Sequence, residues 1–160
     1  MTADFVGEDL ACVRGERLVF ENLSFRARPG EALLLMGPNG SGKSSLLRLM
    51  AGLLAPASGR LLWGGSAIID DPDSHRARLH YIGHLDALKP ALTVSENLAF
   101  YAALRGRPAD ADTLGSAISA FHLDKLADTP ARFLSQGQRR RTALARVLAA
   151  PAALWLLDEP

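Results

Sequence analysis

The chain holds a single cysteine, Cys12, in 160 residues. That excludes an intrachain disulfide, suits a reducing compartment and leaves the thiol as a small buried hydrophobe. Long apolar runs are also lacking. The longest, Ala149 to Leu157, is interrupted by Pro151 and falls short of the ~20 residues that a spanning helix needs. A protein of this kind that acts at a membrane borrows the membrane part from a partner. Neither charge sign dominates, with 18 basic and 17 acidic residues and a net charge of +1. Charge alone therefore gives no reason to expect a nucleic-acid partner. Asp4, Glu8 and Asp9 interrupt the opening residues, so no secretory signal is read there. No repeat or low-complexity tract is visible. Hydrophobic residues make up 48% of the chain, enough for one globular domain with a sizeable core.

Periodicity and punctuation outline an α/β chain. Leu18–Phe20 and Leu23–Phe25 read as two short strands around Glu21-Asn22, an antiparallel edge. Pro29-Gly30 marks a turn. Ala32 to Met36 is an unbroken apolar run, expected to be a strand buried on both faces. Ser45 to Ala51 reads as a helix with a wide apolar face, closed by Gly52. Ser58–Gly65 and His80–Gly83 are further strands with turns. Thr93-Val94-Ser95-Glu96 fits a capping box and predicts a helix to Leu104. A second helix is expected over Ala109 to His122, with Leu114, Ile118 and Phe121 on one stripe. A third starts after Ser135 and stops before Pro151. Residues 93–133 thus read as a helical subdomain inserted in one α/β domain spanning 1–160.

Three motifs carry chemistry. Gly37-Pro38-Asn39-Gly40-Ser41-Gly42-Lys43-Ser44 fits the P-loop pattern G-x-x-x-x-G-K-[ST], with Ser45 next to it, between an expected strand and a helix. Its backbone N–H groups form an anion nest backed by the helix N-terminus. Gly37, Gly40 and Gly42 permit angles that a Cβ obstructs. Lys43 is placed to meet the β- and γ-phosphates, and Ser44 to put its hydroxyl on Mg²⁺. Leu154-Trp155-Leu156-Leu157 suits a central strand and delivers Asp158 and Glu159 to its end. Asp158 there can bind Mg²⁺ as a Walker-B aspartate does, and Glu159 can polarise an attacking water as general base. The plainer alternative is an exposed Asp158-Glu159-Pro160 turn. Between them lies Leu134-Ser135-Gln136-Gly137-Gln138. Ser135 and the N–H groups near Gly137 start a helix there, a second phosphate site, and Ser135 serves equally as a simple N-cap.

These residues resemble the ABC-type ATPases, the nucleotide-binding domains of ATP-binding-cassette systems. Residues 134–138 are similar to the L-S-G-G-Q signature, with Gln136 in place of the first glycine. The resemblance implies a P-loop NTPase core with an antiparallel β edge and a helical subdomain. It also implies ATP and Mg²⁺ as cofactors, and a dimer of two copies in which Ser135, Gly137 and Gln138 of one face the ATP of the other. Counting back from Leu92-Thr93-Val94 puts His84 where the family usually has its Q-loop glutamine; a histidine hydrogen-bonds too, with a charge that depends on pH, and a purely structural role is the alternative. Arg14 falls where the family has an aromatic stacked on adenine, which a planar guanidinium can imitate. His75, His80 and His122 read as structural. Arg139, Arg140, Arg141 and Arg146 read as a solvated helix face, with RNA contact as the competing reading.

Tyr81-Ile82-Gly83-His84, residues 92–101 and residues 137–146 resemble one branch, the ATP-binding subunits of the haem exporter in cytochrome c maturation. That resemblance implies integral membrane transporter subunits as partners, a peripheral place on the cytoplasmic face of the inner membrane, and no nucleic acid. Family members continue beyond the position of Pro160 into a D-loop and a switch histidine, so a fragment lacking the C-terminal part of the fold is expected. Three other functions remain open at this point: the ATPase subunit of another exporter, a soluble ABC ATPase acting on ribosomes or DNA, and a nucleotide-binding module that does not hydrolyse.

Overall fold

A computed structural model describes residues 3–159. Pro160, the last residue of the Asp-Glu-Pro turn reading, lies outside the described residues. The chain divides into two units, Met1–Tyr81 and Ile82–Pro160.

The first unit is built on an antiparallel sheet of order β2-β1-β3-β4, comprising β1 (Phe5–Arg14), β2 (Arg17–Ala27), β3 (Ser58–Trp63) and β4 (Ser66–Ala67). β1 buries Phe5 and Gly7, then Leu10 and Cys12. The buried parity switches from odd to even because Asp9 adopts φ 47° and the pairing register shifts between Gly7 and Leu10. One extra residue in the strand turns the following side chains to the other face. The Asp9 N–H donates to Ser24 Oγ at 2.9 Å, which anchors the bulge. Gly7 is required, since a Cβ there would meet the Phe25 ring at 2.4 Å. The two short strands expected over 18–25 are one strand, bulged at Asn22, which has φ 52°.

Phe5 is the hub of this unit. Its ring lies 5.6 Å from Phe25, 5.9 Å from Trp63 and 5.8 Å from His75. His75 sits in a short helix, α2 (Pro72–Ala77), capped by Asp71. It is buried, with Nε2 2.8 Å from the Met50 carbonyl, while Nδ1 has no hydrogen-bond partner. The carbonyl can only accept, so Nε2 carries a proton. Cys12 is fully buried, as a small hydrophobe should be.

The apolar run Ala32–Met36 departs from expectation. No strand forms there, and Leu34 and Met36 are exposed. A parallel central strand exists only through its neighbours' backbones, and among the described residues this segment has no strand partner. The following helix, α1 (Lys43–Met50), buries Leu46, Leu47, Leu49 and Met50 and ends at Gly52 with φ 68°.

β5 (Leu79–Ile82) carries the chain to the boundary between the units. The second unit contains α3 (Val94–Leu104), α4 (Ala111–Ala120), α5 (Gln136–Ala149) and β6 (Leu154–Leu157). Val94 and Leu98 of α3, Ile118 of α4 and Ala145 and Ala149 of α5 share one core with Leu123 and Leu134. A second cluster joins Ile82 to Ala143 and Val147, with Leu157 against it. Asn97 is fully buried and fully used: Oδ1 accepts from the Lys89 N–H, and Nδ2 donates to the carbonyls of Lys89, Leu92 and Thr93. The loop entering α3 is therefore fixed by one amide. β6 is not buried on both faces as expected, for Trp155 is half exposed while Leu156 is buried.

Burial holds His75 below its ordinary value of 6.5, with Arg78 and Arg76 pushing the same way against the Met50 carbonyl. The unfolded chain then takes up the proton first, so stability is full above pH 6.5 and declines as pH falls below it. Urea unfolding at about pH 7.5 and about pH 5.5 should show a larger loss of midpoint for the wild type than for His75→Gln. An equal loss in both would remove His75 from the account.

Candidate functional site

The P-loop lies in the first unit, between β2 and β3 in the chain. Gly37, Gly40 and Gly42 have φ of 149°, 82° and 100°, angles that only glycine adopts without strain. A Cβ at Gly37 would lie 2.9 Å from Ser41 Oγ, and one at Gly42 would lie 2.6 Å from Val19 Cγ1. The loop is thus tightly wound, and β2 packs against its end. Lys43 folds back over it: Nζ donates to the Gly37 carbonyl at 2.7 Å and the Pro38 carbonyl at 2.9 Å. The ammonium therefore sits at the loop, where a bound anion would face it.

The helix starts show what the loop is built for. Each helix leaves its first N–H groups without intrahelical partners. α2, α3, α4 and α5 all answer with a side-chain cap, from Asp71, Thr93, Asp110 and Ser135. α1 starts at Gly42 with no side-chain cap. A glycine-lined turn, a lysine and an uncapped helix start fit a phosphate chain. For Mg²⁺, the Ser44 hydroxyl is exposed and Asp158 is buried. Among the described residues no three His, Cys, Asp or Glu side chains converge as a metal set. A cation held by either side chain therefore needs phosphate oxygens and water to fill its shell.

In the second unit, Asp158 follows β6, and its N–H donates to the Ile82 carbonyl at 2.9 Å. Glu159 adopts φ 52°, a left-handed conformation uncommon outside glycine. Its carboxylate is exposed, with Oε2 3.8 Å from Nδ1 of an equally exposed His84. The structure thus brings His84 and Glu159 together, and His84 is not the packed histidine of the structural alternative. An exposed pair at this distance adds little stability, so its position has another cause.

Arg140, which sequence reasoning missed, reaches the backbone beside both residues. Its Nη1 donates to the Gly83 carbonyl at 2.8 Å and lies 3.6 Å from Asp86 Oδ1. Its Nη2 donates to the carbonyls of Asp158 and Glu159, the latter at 2.7 Å. Arg141 reaches the carbonyls of Phe121 and His122 at 3.2 Å each, and Arg139 that of Leu134. Arg146 is buried, with its guanidinium 4.4 Å from the Tyr101 ring centre. The reading of these arginines as one solvated face is therefore wrong. Helical geometry gave the signal: three consecutive helical residues point about 100° apart and cannot share a face.

Ser135 forms a complete capping box with Gln138. Its Oγ accepts from the Gln138 N–H at 3.3 Å, and its own N–H donates to Gln138 Oε1 at 2.8 Å. Gln136 and Gly137 are exposed, and nothing lies within 4 Å of a Cβ built on Gly137. Arg14 is exposed at the β1–β2 hairpin, opposite Arg17.

A wound glycine loop on an uncapped helix start, with its own lysine, defines a P-loop nucleotide-binding protein. The chain belongs to the ABC transporter family, whose model matches residues 20–160, and within it to the cytochrome c biogenesis ATP-binding export proteins. It is 62% identical to CcmA of that name from Rhodospirillum rubrum, over 99% of this chain and 67% of that one. It is 56% identical to its counterpart from Paramagnetospirillum magneticum, over 98% of this chain and 73% of that one. An ABC transporter ATP-binding protein from Pyrococcus furiosus has the same fold, with a TM-score of 0.89 at 24% identity, covering 98% of this chain and 76% of that one.

The open space at Gly137 separates fold from function there. Gly137→Ala should leave urea stability unchanged or raise it by up to about 1 kcal/mol, since alanine favours a helix. A clear loss of stability would show that the chain itself requires the glycine.

Proposed function

We propose that this chain is the ATP-hydrolysing subunit of the exporter that serves cytochrome c biogenesis, with haem as its cargo. The observation that carries this reading is the fit of the loop 37–44 to a phosphate chain, in a sequence more than half identical to two cytochrome c biogenesis export proteins. Gly37 to Ser45 wrap the phosphates of ATP, and Lys43 exchanges its two carbonyl partners for β- and γ-phosphate oxygens. Arg14 lies against the adenine. Ser44 and Asp158 would hold Mg²⁺, which neutralises charge on the phosphates. Glu159 accepts a proton from the attacking water, and His84 hydrogen-bonds beside it.

Two copies of the chain form the working unit. Ser135, Gly137 and Gln138 of one copy complete the phosphate site of the other, which is the use left for a glycine whose Cβ space is empty. Among the described residues no helix is long and apolar enough to cross a membrane. The export path belongs to integral membrane subunits, with this chain peripheral on their cytoplasmic side. Opening and closing of the dimer drives them. His84 and the adjoining loop from Leu85 to Leu92 supply the surface that meets them.

In the full-length protein, Glu159→Gln should keep ATP affinity and lower turnover by at least ~10²-fold, as expected for loss of a general base. Steady-state hydrolysis and equilibrium nucleotide binding measured on one preparation check this. Near-normal turnover would take Glu159 out of the reaction.

A further inference from the structure

We propose that Arg140 is the positioning residue that sets where Glu159 and His84 stand, an inference that rests on the ATPase reading above. Four observations carry it. Neither side chain holds the other, since both are exposed and 3.8 Å apart. Both follow strand ends: His84 comes two residues after β5, and Glu159 two after β6. The Arg140 guanidinium binds the backbone at both places, through the carbonyls of Gly83, Asp158 and Glu159. Finally, Glu159 occupies a left-handed conformation, which a non-glycine residue keeps only where the surroundings fix it.

The residue type matters. A guanidinium is planar, with donors in a rigid fork, so one group can bridge two backbone turns and fix their separation. Asp86, with Oδ1 3.6 Å from Nη1, adds a charge that fixes the rotation of that plane. Lysine offers a point charge on a flexible stem and cannot hold both turns at once. Arg140 also sits in the second turn of α5, the helix that starts at Ser135. The guanidinium therefore ties the Glu159 turn to that helix, and a tilt of the helix start moves the carboxylate.

Arg141 supplies the control. It lies on the same helix and also donates to two backbone carbonyls, Phe121 and His122, away from Glu159. In the full-length protein, turnover and KM for ATP are measured for Arg140→Gln, Arg140→Lys and Arg141→Gln. Amide hydrogen exchange over residues 82–86 and 156–159 is followed in parallel. Arg140→Gln should lower kcat by at least ~10-fold, the scale of a misplaced catalytic group, with KM within about threefold. Arg140→Lys should fall between it and the wild type, and exchange should quicken in both segments. Arg141→Gln should lose stability while keeping kcat. If Arg140→Gln does not fold, Arg140→Lys carries the test, and wild-type kcat and exchange in it overturn the proposal. Wild-type kcat in Arg140→Gln, or a parallel kcat loss in Arg141→Gln, overturns it as well. If the wild type hydrolyses nothing, the ATPase reading fails by itself. Exchange then decides for Arg140: faster exchange in both turns keeps the positioning role, and unchanged exchange ends it.

Discussion

Hydrogen bonding at helix starts is the constraint on which this structure turns. A helix cannot satisfy its first N–H groups internally. The chain meets that demand with aspartate caps at α2 and α4 and complete capping boxes at α3 and α5. At α1 it supplies glycines and a lysine instead. That departure makes the helix start receptive to an anion, because the positive end of the helix and the lysine act on the same place. The α5 start differs in kind. Ser135 and Gln138 close it internally while Gly137 leaves its front clear. A helix that is already stable can then be offered to an incoming group.

Backbone carbonyls play the complementary role in the second unit. Loops entering and leaving strands expose carbonyls that need donors when water is excluded. Asn97 supplies them to the loop at 89–93, and Arg140 to the turns at 83 and at 158–159. Both side chains spend their donors on main chain. The loops gain order without extra secondary structure, and side chains on them, such as His84 and Glu159, stay in solvent and available for chemistry.

How much was legible in the sequence follows from whether the signal is local. The capping boxes at Thr93 and Ser135 and the stops at Gly52 and Pro151 depend on neighbours in the chain, and the three long helices formed where their residues predicted. The P-loop was legible because its glycines and lysine act within eight residues. β1 was missed because the bulge at Asp9 breaks the alternation by which a strand is recognised. α2 is too short for periodicity to mark it. Ala32–Met36 looked like a buried strand because hydrophobicity reports a wish for neighbours and does not supply them. The arginines were misread because composition counts charges, whereas their bonds run to carbonyls up to 57 positions away.

The central claim is that the uncapped start of α1 holds the phosphates of a nucleotide. The most direct test is to titrate the protein with ATP and, separately, with adenosine while recording backbone amide resonances. The account predicts that ATP shifts the amides of residues 40–45 while adenosine leaves them in place, and that Lys43→Ala abolishes the ATP response. Equal shifts with adenosine, or an unchanged response in Lys43→Ala, would contradict it.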